Sequence, residues 1–97
     1  MDQRLYIVAY DISDQKRWRR IFRLMKGYGE WVQLSVFQCR LTPRQHAELI
    51  ALLDGAIKHD EDHIVLLDLG LADNVTPRVV SLGKAEFQAI EREAIVI

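Results

Sequence analysis

Leu5-Tyr6-Ile7-Val8-Ala9-Tyr10 is apolar at every position and is closed by Asp11. A strand with one solvated face alternates apolar with polar residues, so a run without alternation reads as a strand covered on both faces. That is a demanding requirement for a chain of 97 residues, because a domain of this size buries only about 60–65% of the surface its unfolded chain exposes. Each face needs a second layer, or another copy of the chain. Asp11 stands where this strand must leave its sheet, and six cations follow between residues 16 and 26. A carboxylate at a strand end beside a cationic helix is a place to hold a metal ion or a phosphate.

Downstream, Ser13 or Asp14 can cap a helix through a side-chain oxygen. Trp18, Ile21, Phe22 and Met25 then fall at helical spacing and form its core stripe. Lys16, Arg17, Arg19, Arg20, Arg23 and Lys26 fill nearly all the other positions, and Gly27-Tyr28-Gly29 ends the helix. Trp31 to Leu41 is β-prone throughout. Thr42-Pro43-Arg44-Gln45 has the spacing of a capping box with Pro at the first helical position. It opens a helix whose inward stripe is His46, Leu49, Ile50, Leu53 and Ile57, with His46 packed at the margin. His59-Asp60-Glu61-Asp62-His63 resembles a cation site, but i, i+4 spacing brings side chains together only within a helix. The run reads instead as a solvated acidic turn before the strand Ile64–Leu69. Val79 to Gly83, a helical piece around Ala85 to Ile90, and the apolar strand Ala94–Ile97 complete the chain.

The order β, α, β-rich, α, β predicts an α+β, ferredoxin-like βαββαβ sandwich over a single domain, provided Trp31 to Leu41 folds back near Leu34-Ser35. That turn lacks the Asn-Gly chemistry tight hairpins favour. Both helices would cover one face of the sheet, and the other would expose an apolar patch that soluble monomers avoid. A homodimer packed sheet to sheet removes the patch. Residues 79–97 are then expected as a tail whose terminal strand adds to the partner's sheet.

Charge is unevenly spread. The formal net charge is −1, yet residues 15 to 44 carry eight Lys or Arg against Glu30 alone. A polyanion responds to such local density, because screening acts over about 8–10 Å; a solvated helix face accounts for the same residues. The single Cys39 can form no intramolecular disulfide and reads as a buried, inert thiol. No apolar run approaches the ~20 residues of a membrane span, and no signal peptide is evident, so a cytoplasmic protein is expected.

Tyr10-Asp11-Ile12-Ser13, the basic first helix with Arg17 and Arg20, Tyr28-Gly29, Gln33-Leu34-Ser35-Val36-Phe37, the stretch from Asp62 to Leu69, Leu82-Gly83 and the terminal strand together resemble the CRISPR-associated protein 2 family. The resemblance covers nearly the whole chain. It implies a ferredoxin-like homodimer acting as a metal-dependent endonuclease on RNA or DNA, and a partner of the CRISPR integrase in spacer acquisition. It places the metal-binding carboxylate on Asp11 with Tyr10 beside it, supporting residues of the catalytic site on Ser35 and Phe37, and nucleic-acid contacts on Arg17 and on Arg19 or Arg20. Lys16 and Arg23 extend that basic surface. Trp31 stands where some members carry a basic residue.

Mg²⁺, with Mn²⁺ as the other candidate, needs oxygen ligands, and one Asp per chain is a thin donor set. A two-fold axis near the ends of the first strands would bring two copies of Asp11 to one site. No general base is in evidence, so the ion itself would have to activate water. Two other functions compete. One is a non-catalytic dimer that holds duplex DNA by its phosphates and bridges the integrase. The other is a ferredoxin-like RNA-binding or ligand-sensing module, for which aromatics exposed on the central strands would be the sign.

Overall fold

The computed structural model describes residues 2–83 and 95–96. The both-faces-apolar run becomes β1 (Arg4–Asp11), followed by α1 (Gln15–Lys26), β2 (Glu30–Gln33), β3 (Val36–Leu41), α2 (Pro43–Ala56) and β4 (His63–Leu71). The four strands form one antiparallel sheet in the order β2-β3-β1-β4, the ferredoxin-like arrangement that the sequence predicts. β1 is central as expected, with β3 on one side and β4 on the other.

Alternation along the strands decides what each face does. Tyr6, Val8 and Tyr10 of β1 point to the helices together with Phe37, Cys39 and Leu41 of β3, and Ile21, Met25, Leu49 and Leu53 close over them. Burial of each large side chain in this layer contributes roughly 1.5–3 kcal/mol. Trp18 and Phe22 of α1 complete an aromatic chain, with ring centroids 5.1 Å apart for that pair and 5.5 Å for Phe22 and Phe37. His46 packs as expected at the stripe's margin, stacked on Tyr6 at 4.5 Å. Ile50 departs from the expected inward stripe: it is exposed, lining an open groove with Leu53, Ile57, Ile64 and Leu66. Burial holds the Cys39 thiol in its neutral form, with a pKa pushed up to about 12.

Asp14 caps α1, its carboxylate accepting from Arg17 N at 2.9 Å. Thr42 and Gln45 form the expected capping box at α2. The β2–β3 hairpin turns at Leu34-Ser35 without Asn or Gly, and Leu34 takes φ +42°. Tertiary bonds hold this disfavoured conformation. Trp31 Nε1 donates to Leu34 O at 3.0 Å, Tyr10 N donates to Ser35 O at 3.1 Å, and Trp18 Nε1 donates to Ser35 Oγ at 2.8 Å.

Among the described residues the other sheet face carries no helix. Val65 and Leu67 of β4 are exposed there beside the half-buried Ile7, Ala9 and Val36, the apolar patch that non-alternating strands require. Beyond β4, a single 3₁₀ turn (Ala72–Asn74) leads to β5 (Val79–Val80), which pairs in parallel with β6 (Ile95–Val96) of the same chain. The expected helical piece around Ala85 to Ile90 lies outside the described residues.

Gly29 marks the tightest approach of the α1–β2 connection to the sheet. A Cβ at this position would lie 2.6 Å from Gln38 O and would overlap Cys39 Sγ. A backbone carbonyl inside a ladder cannot step aside, and overpacking of this kind costs about 1–3 kcal/mol. Gly29→Ala is therefore expected to lower the unfolding free energy by that amount, read as a lower urea midpoint with the denaturant slope unchanged.

Candidate metal and nucleic-acid site

β1 delivers Tyr10 and Asp11 to opposite faces. Asp11 is exposed at the strand's end on the helix-free face, and its Cα partner on β4 is His63. No hydrogen bond or ion pair to another described residue occupies its carboxylate. Tyr10 turns inward, between Trp18 and Phe37. Its hydroxyl is buried without a hydrogen-bond partner among the described residues, and burial pushes its pKa up to about 12. Phe37 is fully buried and Ser35 Oγ is bonded to the Trp18 indole. The four residues expected to form a catalytic set are thus divided: Asp11 alone reaches solvent with an open carboxylate, and Tyr10, Ser35 and Phe37 lie beneath it as packing and turn structure. Tyr10 and Asp11 are adjacent in β1, and the pleat turns them to opposite faces of the sheet.

The acidic run corrects a second expectation. It is not merely a solvated turn, because the Asp62 side chain is completely withdrawn from solvent. Asp62 accepts from Ser13 N at 3.1 Å, Lys58 N at 2.8 Å, Arg17 Nε at 2.8 Å and Arg17 Nη2 at 3.2 Å. Ser13 Oγ lies 3.3 Å from both Asp62 and Glu61. Glu61, on the surface of the cluster, accepts from Arg17 Nη2 at 3.1 Å and Lys58 Nζ at 3.0 Å. One buried carboxylate therefore joins the loop leaving β1 to the loop entering β4. Its sequence signal was slight: an Asp just before an apolar strand. His59 is occupied elsewhere, with Nε2 2.8 Å from Asp54 Oδ1. Among the described residues no three His, Cys, Asp or Glu side chains converge to hold a metal ion.

The cations of α1 also divide. Arg17 is half-buried, and its guanidinium is engaged by Asp62 and Glu61. Lys16, Arg19, Arg20, Arg23 and Lys26 are exposed. Arg19, Arg20 and Arg23 make no ion pair with another described residue. Their charges face solvent, where a polyanion can meet them.

The Arg17 guanidinium holds the Asp62 carboxyl far below the usual carboxylate range, and the Lys58 and Ser13 amides add to the effect. A depressed folded-state pKa stabilises the protein above the ordinary Asp value of about 3.9, and that contribution is lost as pH falls toward the folded value. The melting temperature should accordingly fall steeply below about pH 4. In Asp62→Asn, which starts from a lower melting temperature at neutral pH, the decline should be shallower.

Comparison with known proteins bears on these features together. Residues 4–75 match the family model described as CRISPR associated protein Cas2. The chain is 53% identical to the CRISPR-associated endoribonuclease Cas2 1 of Rhodospirillum rubrum, over 95% of this chain and 89% of that protein. It is 50% identical to the CRISPR-associated endoribonuclease Cas2 of Geobacter sulfurreducens, over 98% and 99%. Among solved structures, a hypothetical protein from Thermus thermophilus superposes with a TM-score of 0.71 at 35% identity, covering 88% of this chain and 96% of that one. Streptococcus pyogenes Cas2 superposes with a TM-score of 0.65 at 32% identity, covering 68% and 86%. With half its residues shared across nearly the full length of two relatives, and with the same fold, this chain belongs to the CRISPR-associated protein Cas2 family.

Proposed function

We propose that this protein is a metal-dependent endonuclease of CRISPR spacer acquisition. It cleaves RNA or DNA phosphodiesters as a homodimer whose two Asp11 carboxylates share one divalent ion. The observation that carries this reading is the open Asp11 carboxylate at the end of the central strand, on the sheet face turned away from α1 and α2. The names of the two full-length relatives, both endoribonucleases, support it.

One chain offers half a donor set, which fits the ion only when a second copy supplies the other half. Mg²⁺ suits such a site because it keeps several of its waters and binds through one or two carboxylates. Burying Val65, Leu67, Ile7 and Ala9 against the same residues of a partner is the favourable association that would bring the two Asp11 side chains together. When bound, the ion supplies charge relief for the scissile phosphodiester and lowers the pKa of an attacking water. The chain's own residues orient the reaction. Asp11 fixes the ion, while Lys16, Arg19, Arg20 and Arg23 draw the phosphate backbone across the ends of the first strands. The buried, neutral Cys39 suits a reducing cytoplasm, with the CRISPR integrase as partner.

The competing RNA-recognition module loses its main support. The face turned away from α1 and α2 carries Ile7, Ala9, Val36, Arg40, Val65 and Leu67, with Leu5 and Gln38 buried at its centre, and none of these described residues is an aromatic ring on which a base could stack. The scaffold reading uses the same cations as the nuclease, and the two separate at Asp11.

Asp11→Asn should reduce divalent-dependent cleavage of RNA and duplex DNA by on the order of 100-fold or more, because the Lewis acidity of a bound ion is worth several kcal/mol. Duplex binding should survive in this variant. Cleavage at the wild-type rate with unchanged ion dependence would leave the scaffold as the function. Binding itself should weaken by roughly 10³–10⁵ between 50 and 200 mM salt if some 6–10 phosphates are neutralised. Replacing Lys16, Arg20 and Arg23 together with Gln should flatten the salt dependence by about 0.9 in slope for each phosphate no longer neutralised; an unaltered slope would place the nucleic acid elsewhere.

A further inference from the structure

Arg17 differs from every other cation of its helix. Arg19, Arg20 and Arg23 project into solvent, while Arg17 directs Nε and Nη2 at Asp62 and Nη2 also at Glu61. A guanidinium binds phosphate through a fork of parallel N–H groups, and here the Nε side of that fork is filled from within the chain. The acceptor is a carboxylate with no solvent exposure, so the pair is a fixed part of the fold and not a surface contact that a ligand displaces.

The same Asp62 carboxylate accepts from the Ser13 amide, two residues after Asp11. The peptide leaving β1 is thereby held at three successive points. Ile12 is buried in the core cluster, Ser13 N is bonded to Asp62, and Asp14 caps α1. Lys58 N, bonded to the same carboxylate, ties in the loop that leads to His63, the cross-strand partner of Asp11. A shared ion site needs such restraint, because ligand placement governs affinity and residues that orient a ligand typically change it by about 10- to 100-fold.

We infer that Arg17 and Asp62 are positioning residues for Asp11. Their buried pair, acting through the Ser13 amide, sets the direction in which the Asp11 carboxylate leaves the strand, and Arg17 serves ion binding and not phosphate binding. This rests on the reading of Asp11 as a ligand to a divalent ion.

The test uses the full chain, Mn²⁺ alone as the probe, and the decrease of the free Mn²⁺ signal in electron paramagnetic resonance as the measure of affinity, at a temperature where circular dichroism shows every variant folded. Arg17→Lys keeps the charge and loses the planar fork. It should bind Mn²⁺ about 10-fold more weakly and hold duplex DNA with the wild-type salt slope. The double variant Arg17→Gln with Asp62→Asn removes both charges without stranding either, and it carries the test should Arg17→Lys prove unstable. It too should lose Mn²⁺ affinity with no change in salt slope. Mn²⁺ binding at wild-type strength in the folded variants overturns the inference. So does a slope shallower by about 0.9 for each Arg17 removed, the signature of one fewer neutralised phosphate. Asp11→Asn is the control. If it abolishes Mn²⁺ binding while the Arg17 and Asp62 variants bind normally, only the positioning role falls; if it too leaves binding intact, the ion site at Asp11 falls with it.

Discussion

The buried carboxylate of Asp62 ties together the end of the sheet at which chemistry is proposed. Four N–H groups from three residues converge on it, the amides of Ser13 and Lys58 and two from Arg17. A carboxylate withdrawn from solvent and stripped of these donors would be destabilising, because water could not replace them. Arg17 and the two loops are therefore constrained together. The start of α1, the exit of β1 and the entry to β4 become one unit, and Asp11 emerges from it.

This restraint operates against a sheet whose described helices cover one side only. The aromatic chain Trp18, Phe22, Phe37 and Tyr10 fills the helix side, and no comparable layer of described residues lies on the other. Asymmetry of this kind favours association, since the exposed Val65 and Leu67 gain from any apolar partner surface. The same strand thus performs two tasks through its two parities: Tyr6, Val8 and Tyr10 build the core under the helices, and Ile7, Ala9 and Asp11 lie on the opposite face. A ligand placed on the even parity would have been lost in the core, as the fate of Tyr10 shows.

Much was legible in the sequence because it rests on local chemistry. The central strand, both helices, the caps at Asp14 and Thr42, the hairpin near Leu34 and the exposed cations all follow from periodicity and from side chains bonding to nearby backbone. Which side chains share a surface was not legible in this way. Tyr10 and Asp11 are adjacent and face opposite ways, and Arg17 follows the basic pattern of its helix while belonging to a different electrostatic unit. Ile50 fits the helical stripe of α2, yet it stays exposed in an open groove beside β4.

What the sequence by itself determined is the element order and the demand for cover on both faces of β1, because hydrophobic period and capping chemistry are properties of short segments. Only the tertiary structure decided which charges face solvent and which are framework. Asp62 lies 45 positions beyond Arg17, and no local pattern reports an interaction over that separation. The pair forms because the antiparallel registration of β1 with β4 brings the two loops to one end of the sheet, and a buried carboxylate must then find its donors there.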